Sequence, residues 1–282
     1  MDAVNREQRD FWQALTPGWL EAESHAELVA GRFGEAAMAQ LPLRAGDRVM
    51  DIGCGSGGTT RRLGERVGPA GAVLGLDIAP AMIDAARARE IPGSEPVPEF
   101  AVSDVQVDEL GAGRFDAAFC RFGVMFFADP AAAFANIRRS LKAAGTLAFT
   151  CWGDLFSNEW MFVPGAAAVS VTGEFPAMPG DGEPGPFSLA DPVRVERLLD
   201  DAGFVDIQVG LRSDVVALPA SRVGSMVALS TSVGPVHEAL RDADESTRSS
   251  VREAVRSALE AKVIDGELRL SASAHLVTAK RP

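Results

Sequence analysis

Residues Asp51-Ile52-Gly53-Cys54-Gly55-Ser56-Gly57-Gly58 stand between a short apolar run and a helical run, and they carry the densest chemical signal in the chain. Glycines at such a place let the backbone turn tightly and lie against a ligand, because no Cβ intervenes. Gly53, Gly55 and Gly58 satisfy the spacing of a dinucleotide-binding fingerprint. Asp77 follows 19 residues after Gly58, at the end of the next apolar run, where a ribose hydroxyl is bound in such sites. Spacing alone therefore admits a nicotinamide or flavin enzyme.

Charge separates two readings. A dinucleotide brings a pyrophosphate to the helix N-terminus, where the helix dipole favours it. The carboxylate of Asp51, just ahead of the first glycine, repels such an anion. S-adenosylmethionine carries no phosphate; its amino-acid end offers an ammonium and its sulfur is positive, so a carboxylate there is an asset. The sign of that one residue favours the methyl donor.

This loop and four further segments carry a resemblance. Val49 to Gly57 looks like the first motif of class I S-adenosylmethionine-dependent methyltransferases, and Gly75-Leu76-Asp77-Ile78 resembles the acidic motif that follows it. Ser103-Asp104-Val105 is similar to the adenine-contacting position after the third strand. Phe115 to Phe127 resembles the fourth-strand motif, and Leu141 to Leu147 the loop into strand five. The similarity covers residues 46–151, and its closest flavour is the ubiquinone/menaquinone-biosynthesis-type group with its natural-product relatives. It implies that Asp77 takes the ribose hydroxyls, Asp104 the adenine amino group, and Ile78 and Met82 the adenine faces, with Val105 alongside. It further implies that Asp51, Gly53, Gly55 and Ser56 serve the methionine part, closed by Arg121 and Phe122. The implied cofactor is S-adenosyl-L-methionine. The alternatives are an NAD(P)-dependent oxidoreductase and a cofactor-binding partner protein without catalysis.

These residues need a scaffold that brings strand ends together. Strand and helix patterns alternate from about residue 46 to 151, which predicts an α/β fold with a doubly wound, mostly parallel seven-stranded sheet. A helical cap is expected from residues 1–45, read as amphipathic helices broken by a turn at Thr16-Pro17-Gly18. A helix from Pro130 to about Ala143 should lead into a fifth strand, Gly145 to Cys151. The rest of the sheet falls in 152–282, with cap inserts at 152–187 and 221–262 and a final antiparallel strand near Glu267 to Thr278.

The acceptor pocket is expected from those cap segments, whose aromatics suit an apolar, flat acceptor. Trp19, Phe126, Trp160, Phe162 and His237 are its candidate wall, and Trp12 or Trp19 a cover for the cofactor. His25 is the first candidate for a general base, since imidazole titrates near neutral pH. His237, Glu159 and Asp154 follow, and His275 reads as structural. Methyl transfer from a sulfonium is a direct displacement and needs alignment more than acid or base, so the motifs speak for the donor rather than the acceptor.

Composition closes several other doors. A net charge of −12 and a pI near 4.8 argue against a surface that neutralises phosphates, so nucleic acid is not an expected partner. No apolar run is long enough for a membrane span. Cys54, Cys120 and Cys151 have no metal-ligand spacing, and the three histidines lie far apart, so no metal is expected. Reduced thiols and the charged N-terminus suit a cytoplasmic protein, monomeric or homodimeric, with a small-molecule acceptor.

Overall fold

In a computed structural model, which describes residues 5–89, 96–174 and 182–282, the chain folds as a mixed sheet sandwiched by helices. The parallel part comprises β1 (Arg48–Ile52), β2 (Ala72–Asp77), β3 (Glu99–Val102), β4 (Phe115–Arg121) and β5 (Leu141–Trp152). Their crossovers are α2 (Gly58–Val67), α3 (Pro80–Ala88) and α4 (Pro130–Ser140). Burial on both faces explains the near-continuous apolar runs of β1, β4 and β5.

Helix α1 (Arg6–Met38) precedes the sheet; α5 (Glu159–Thr172) and α6 (Pro192–Asp201) follow it. Next come β6 (Val205–Pro219), the helices α7 (Val223–Ser232), α8 (Pro235–Leu240) and α9 (Glu245–Glu260), then β7 (Val263–Ile264) and β8 (Glu267–Lys280). The sheet order is β3-β2-β1-β4-β5-β8-β6, with the two-residue β7 on β8 as an eighth strand. Strand β8 runs antiparallel to both β5 and β6, as its alternating sequence predicts. The order reverses between β1 and β4, so a crevice opens beyond the carboxyl ends of those two strands.

Pairing of β6 with β8 continues past the end of β5: Trp152 sits opposite Ala274, while β6 and β8 stay paired out to Pro219 and Glu267. This two-stranded overhang carries the cap. Helix α5 packs on α9, and α7 packs on both α1 and α9.

Two sequence expectations are corrected. No turn interrupts residues 16–18; α1 is one helix with Pro17 inside it. The Thr16 hydroxyl donates to the Trp12 carbonyl at 2.8 Å, and Gly18 lies against the Ser232 carbonyl, so packing on α7 carries the helix through its proline. Helix α4 stops at Ser140 rather than near Ala143. Leu141 already pairs with Phe115, and a bulge lets Thr146 pair with Ala117. Phe175 and Met178, counted in the insert after β5, lie outside the described residues. No helix of the described residues is long and apolar enough to cross a membrane.

Candidate active site

The loop after β1 is shaped by its glycines. Gly53, Gly55 and Gly57 have φ of +64°, +53° and +82°, a region costly for any residue with a Cβ. The Cys54 amide reaches the Leu76 carbonyl at 3.0 Å and the Gly55 amide reaches Asp77 Oδ2 at 2.9 Å, which ties the loop to the end of β2. At Gly55 and Gly58 an added Cβ would meet nothing within 4 Å, so open space lies in front of the loop.

That space belongs to a cavity of about 510 Å³, a volume typical of small-molecule sites. Gly53, Cys54, Gly55, Ser56, Asp77, Ile78, Met82, Asp104, Val105, Arg121 and Phe122 all line it. Ends of β1, β2, β3 and β4 thus converge on one volume. Asp77 also accepts from the Ala79 amide at 2.9 Å, and burial pushes its carboxyl up against the pull of the Ala79 and Gly55 amides. Asp104 accepts from the Gln106 amide at 3.0 Å, an Asx turn that fixes it at the rim of the β3 loop. Phe122 takes a left-handed φ of +58° and stacks on Trp152 with centroids 3.8 Å apart. A non-glycine residue held in that region is a local strain that tertiary packing must maintain.

The other end of the cavity is aromatic. Phe126, Trp152, Trp160 and Met161 meet Trp12 and Trp19 there, beneath Leu229, Val233 and Val236 of the cap. Trp12 stands edge-on to Phe126 with centroids 4.8 Å apart, and to Trp19 at 6.0 Å. Both tryptophans come from α1, whose Gln8, Trp12, Leu15, Trp19, Glu23 and Glu27 recur at three- and four-residue spacing along one lining face.

Glu23 and Glu27 also line the cavity, and sequence reasoning missed them. Glu23 accepts from the Ser56 hydroxyl and pairs with Arg89 at 2.6 Å. Glu27 bridges Arg121 at 2.5 Å and Arg62 at 2.8 Å. Although burial works the other way, Arg121 and Arg62 hold the Glu27 carboxyl below its usual range. The signal was available: two acids interrupt an otherwise apolar stripe at its own period.

Four expected site residues sit elsewhere. Asp51 is 1% exposed beneath the glycine loop and is not part of the cavity wall; its carboxylate accepts from the Thr60 hydroxyl at 2.6 Å. Glu23 is instead the carboxylate that reaches the start of α2. His25 shares the α1 face of Gly18 and Arg32, which turn to Ser232 and to Asp214 of β6, and it is not part of the cavity wall. His237 is turned toward the Thr231 carbonyl, 3.1 Å from Nδ1, although its neighbours Val236 and Glu238 line the cavity. Phe162 lies on the outer side of α5 at 36% exposure, edge-on to Phe156. The remaining acid-base candidates make their polar contacts outside the cavity wall. Glu159 is held by Lys262 at 2.6 Å, Asp154 accepts from the Phe156 amide, and His275 lies 2.8 Å from the Ala190 carbonyl.

The chemistry of the wall fits an elongated cationic ligand at the loop end. Carboxylates of Asp77 and Glu23 flank the glycines there, and a diphosphate resting on the start of α2 would meet Glu23.

Comparison with known proteins agrees with that chemistry. Residues 50–149 match the family described as a methyltransferase domain. The aklanonic acid methyltransferase DauC of Streptomyces sp. strain C5 is 36% identical over 105 residues, 37% of this chain and 48% of that protein. The chain thus matches about half the length of this relative. The YcgJ protein of Bacillus subtilis has the same fold, with a TM-score of 0.57 at 16% identity, over 88% of this chain and 97% of that one. Phosphoethanolamine N-methyltransferase 2 of Haemonchus contortus, solved with S-adenosyl-L-methionine, has a TM-score of 0.51 at 20% identity, over 94% of this chain and 53% of that one.

Proposed function

We propose, from the premise that this chain belongs to the class I S-adenosylmethionine-dependent methyltransferases, that it methylates a carbon, nitrogen or oxygen of a small, largely apolar and flat acceptor, such as an indole-like or other aromatic natural product. The observation that carries this reading is the continuity of one cavity from the glycine loop to the aromatic chamber under the cap. Donor end and acceptor end share a wall, α1, and Trp12 and Phe126 meet edge-on in the lining.

S-adenosylmethionine, when bound, supplies an activated methyl group on a positive sulfur. Asp77 is the residue for the ribose hydroxyls, because each of its oxygens has one amide partner and keeps acceptor capacity. Ile78 and Met82 offer apolar faces to the adenine, with Asp104 and Val105 at its edge. Gly53, Gly55 and Ser56 present backbone to the amino-acid portion, Glu23 faces its ammonium, and Arg121 and Phe122 close it. The aromatic chamber holds the acceptor in line and keeps water away, which is where most of the rate gain of such a displacement arises. No histidine belongs to the wall formed by the described residues, so an acceptor proton is passed to a carboxylate or to water rather than to imidazole.

Aklanonic acid gives the Streptomyces relative its name; the acceptor of this chain is read from its own cavity. Calorimetry with S-adenosylhomocysteine and with NADH tests the donor half: the first should bind and the second should not. Binding of NADH alone would end the reading. Turnover of radiolabelled donor with a panel of flat aromatic acceptors tests the other half, and labelled product should form from at least one of them.

A further inference from the structure

The polar lining of the cavity is lopsided. Among the described residues that form its wall, Glu23, Glu27, Asp77, Asp104 and Glu238 are acids, and Arg121 is the sole cation. Arg121 is already committed to Glu27 at 2.5 Å. The arginines that balance the other glutamates stand behind the wall: Arg89 pairs with Glu23, Arg62 with Glu27 and Arg241 with Glu238, and none of the three lines the cavity. The segments 1–4, 90–95 and 175–181 contain no lysine, arginine or histidine in their sequence. The charged side chains of the described wall are therefore acidic on balance.

We infer that the acceptor enters this chamber without a negative charge, as a phenol, an amide, an indole or an amine does. The inference rests on the methyltransferase reading and narrows its substrate class. An ionised carboxylate in the aromatic chamber would lose its hydration and find no cation to replace it. Among the described lining residues, the charged one at the cap end is Glu238, which repels it. A neutral hydroxyl or amide carries no such cost. An amine gains in addition from the tryptophan and phenylalanine faces around it. Conversion of the donor also fits this lining, since the acids hold a cationic reactant and a product without that charge is released more readily.

The test is a charge series on one aromatic frame: naphthoate, naphthamide and naphthylmethylammonium, titrated calorimetrically near neutral pH into the full chain. Each titration is run with and without S-adenosylhomocysteine. The amide and the ammonium should bind at least about tenfold more tightly than the acid, the factor expected for an unpaired charge in a dry pocket. Glu238→Gln should narrow the gap between acid and ammonium severalfold. Equal or tighter binding of naphthoate overturns the inference, and so does failure of all three probes to bind. Failure of S-adenosylhomocysteine alone strikes the donor reading instead, because the ranking measured without it still stands or falls by itself.

Discussion

Burial beneath the glycine loop pushes the Asp51 carboxyl up to about 7, while the Thr60 hydroxyl and Arg121 pull it the other way. A carboxyl whose folded value lies above its unfolded one holds its proton longer in the native state, so its share of stability is full below the unfolded value of 3.8 and is lost as pH rises to about 7. Asp51→Asn removes that loss and keeps an acceptor for Thr60. The variant should gain on wild type between about pH 5 and about pH 8, by at most about 3 kcal/mol, as read from urea melts at both values. A constant difference across that range would contradict it. Asp77 is a different case, since it lines the cavity itself. Asp77→Ala should weaken S-adenosylhomocysteine binding by about 2–4 kcal/mol, the scale of charge-assisted hydrogen bonds, as measured by calorimetry. Unaltered affinity would remove it from the donor site. At this scale the sequence showed the residues after each strand, because motif spacing fixes them on strand ends. It hid which way a helical side chain faces: His25, His237 and Phe162 each sit one position away from lining residues Ala26, Val236 and Met161.

Helix α1 acts as one lever across the crevice. Its C-terminal turns are locked into the core by Phe33, Ala37 and Met38, and its middle is tied down by Glu23 and Glu27. Glu27→Ala cuts two ion pairs at once and leaves Arg121 without its partner. Amide exchange along residues 6–30 should then accelerate relative to β1 and β4, and donor affinity should fall about tenfold, in keeping with a loss of roughly 1–2 kcal/mol for a partly buried pair. Unchanged exchange would show that packing on α7 alone holds the helix. The elements of the parallel sheet were readable since buried strands are short apolar runs ended by glycine or aspartate. The unbroken α1 was not readable, because Pro17 argues locally for a break and only the tertiary contacts of Thr16 and Gly18 override it. Leu141 was lost for a related reason: the bulge that admits it to β5 leaves no periodic trace in the sequence.

For the whole molecule, ligand binding should appear as stability. Saturation with S-adenosylhomocysteine at about a hundred times its Kd adds about 2.7 kcal/mol to the native state, a rise of several degrees in Tm for a chain of this size. NADH at the same concentration should leave Tm where it was, and the reverse pattern would undo the proposed function. The sheet order and the crevice between β1 and β4 follow from the alternation of strands and helices. The extent of β6 does not, because its outward residues alternate weakly and its register is set by β8. That extra length has an outcome for diversification. The two strands that run on beyond β5 form an arm that leads into the cap helices, whereas the glycine loop is anchored in the parallel core. On the proposed function, substitutions along the arm, from Ser213 to Pro219 opposite Glu267 to Ser273, should alter which acceptors turn over while S-adenosylhomocysteine affinity stays as it was.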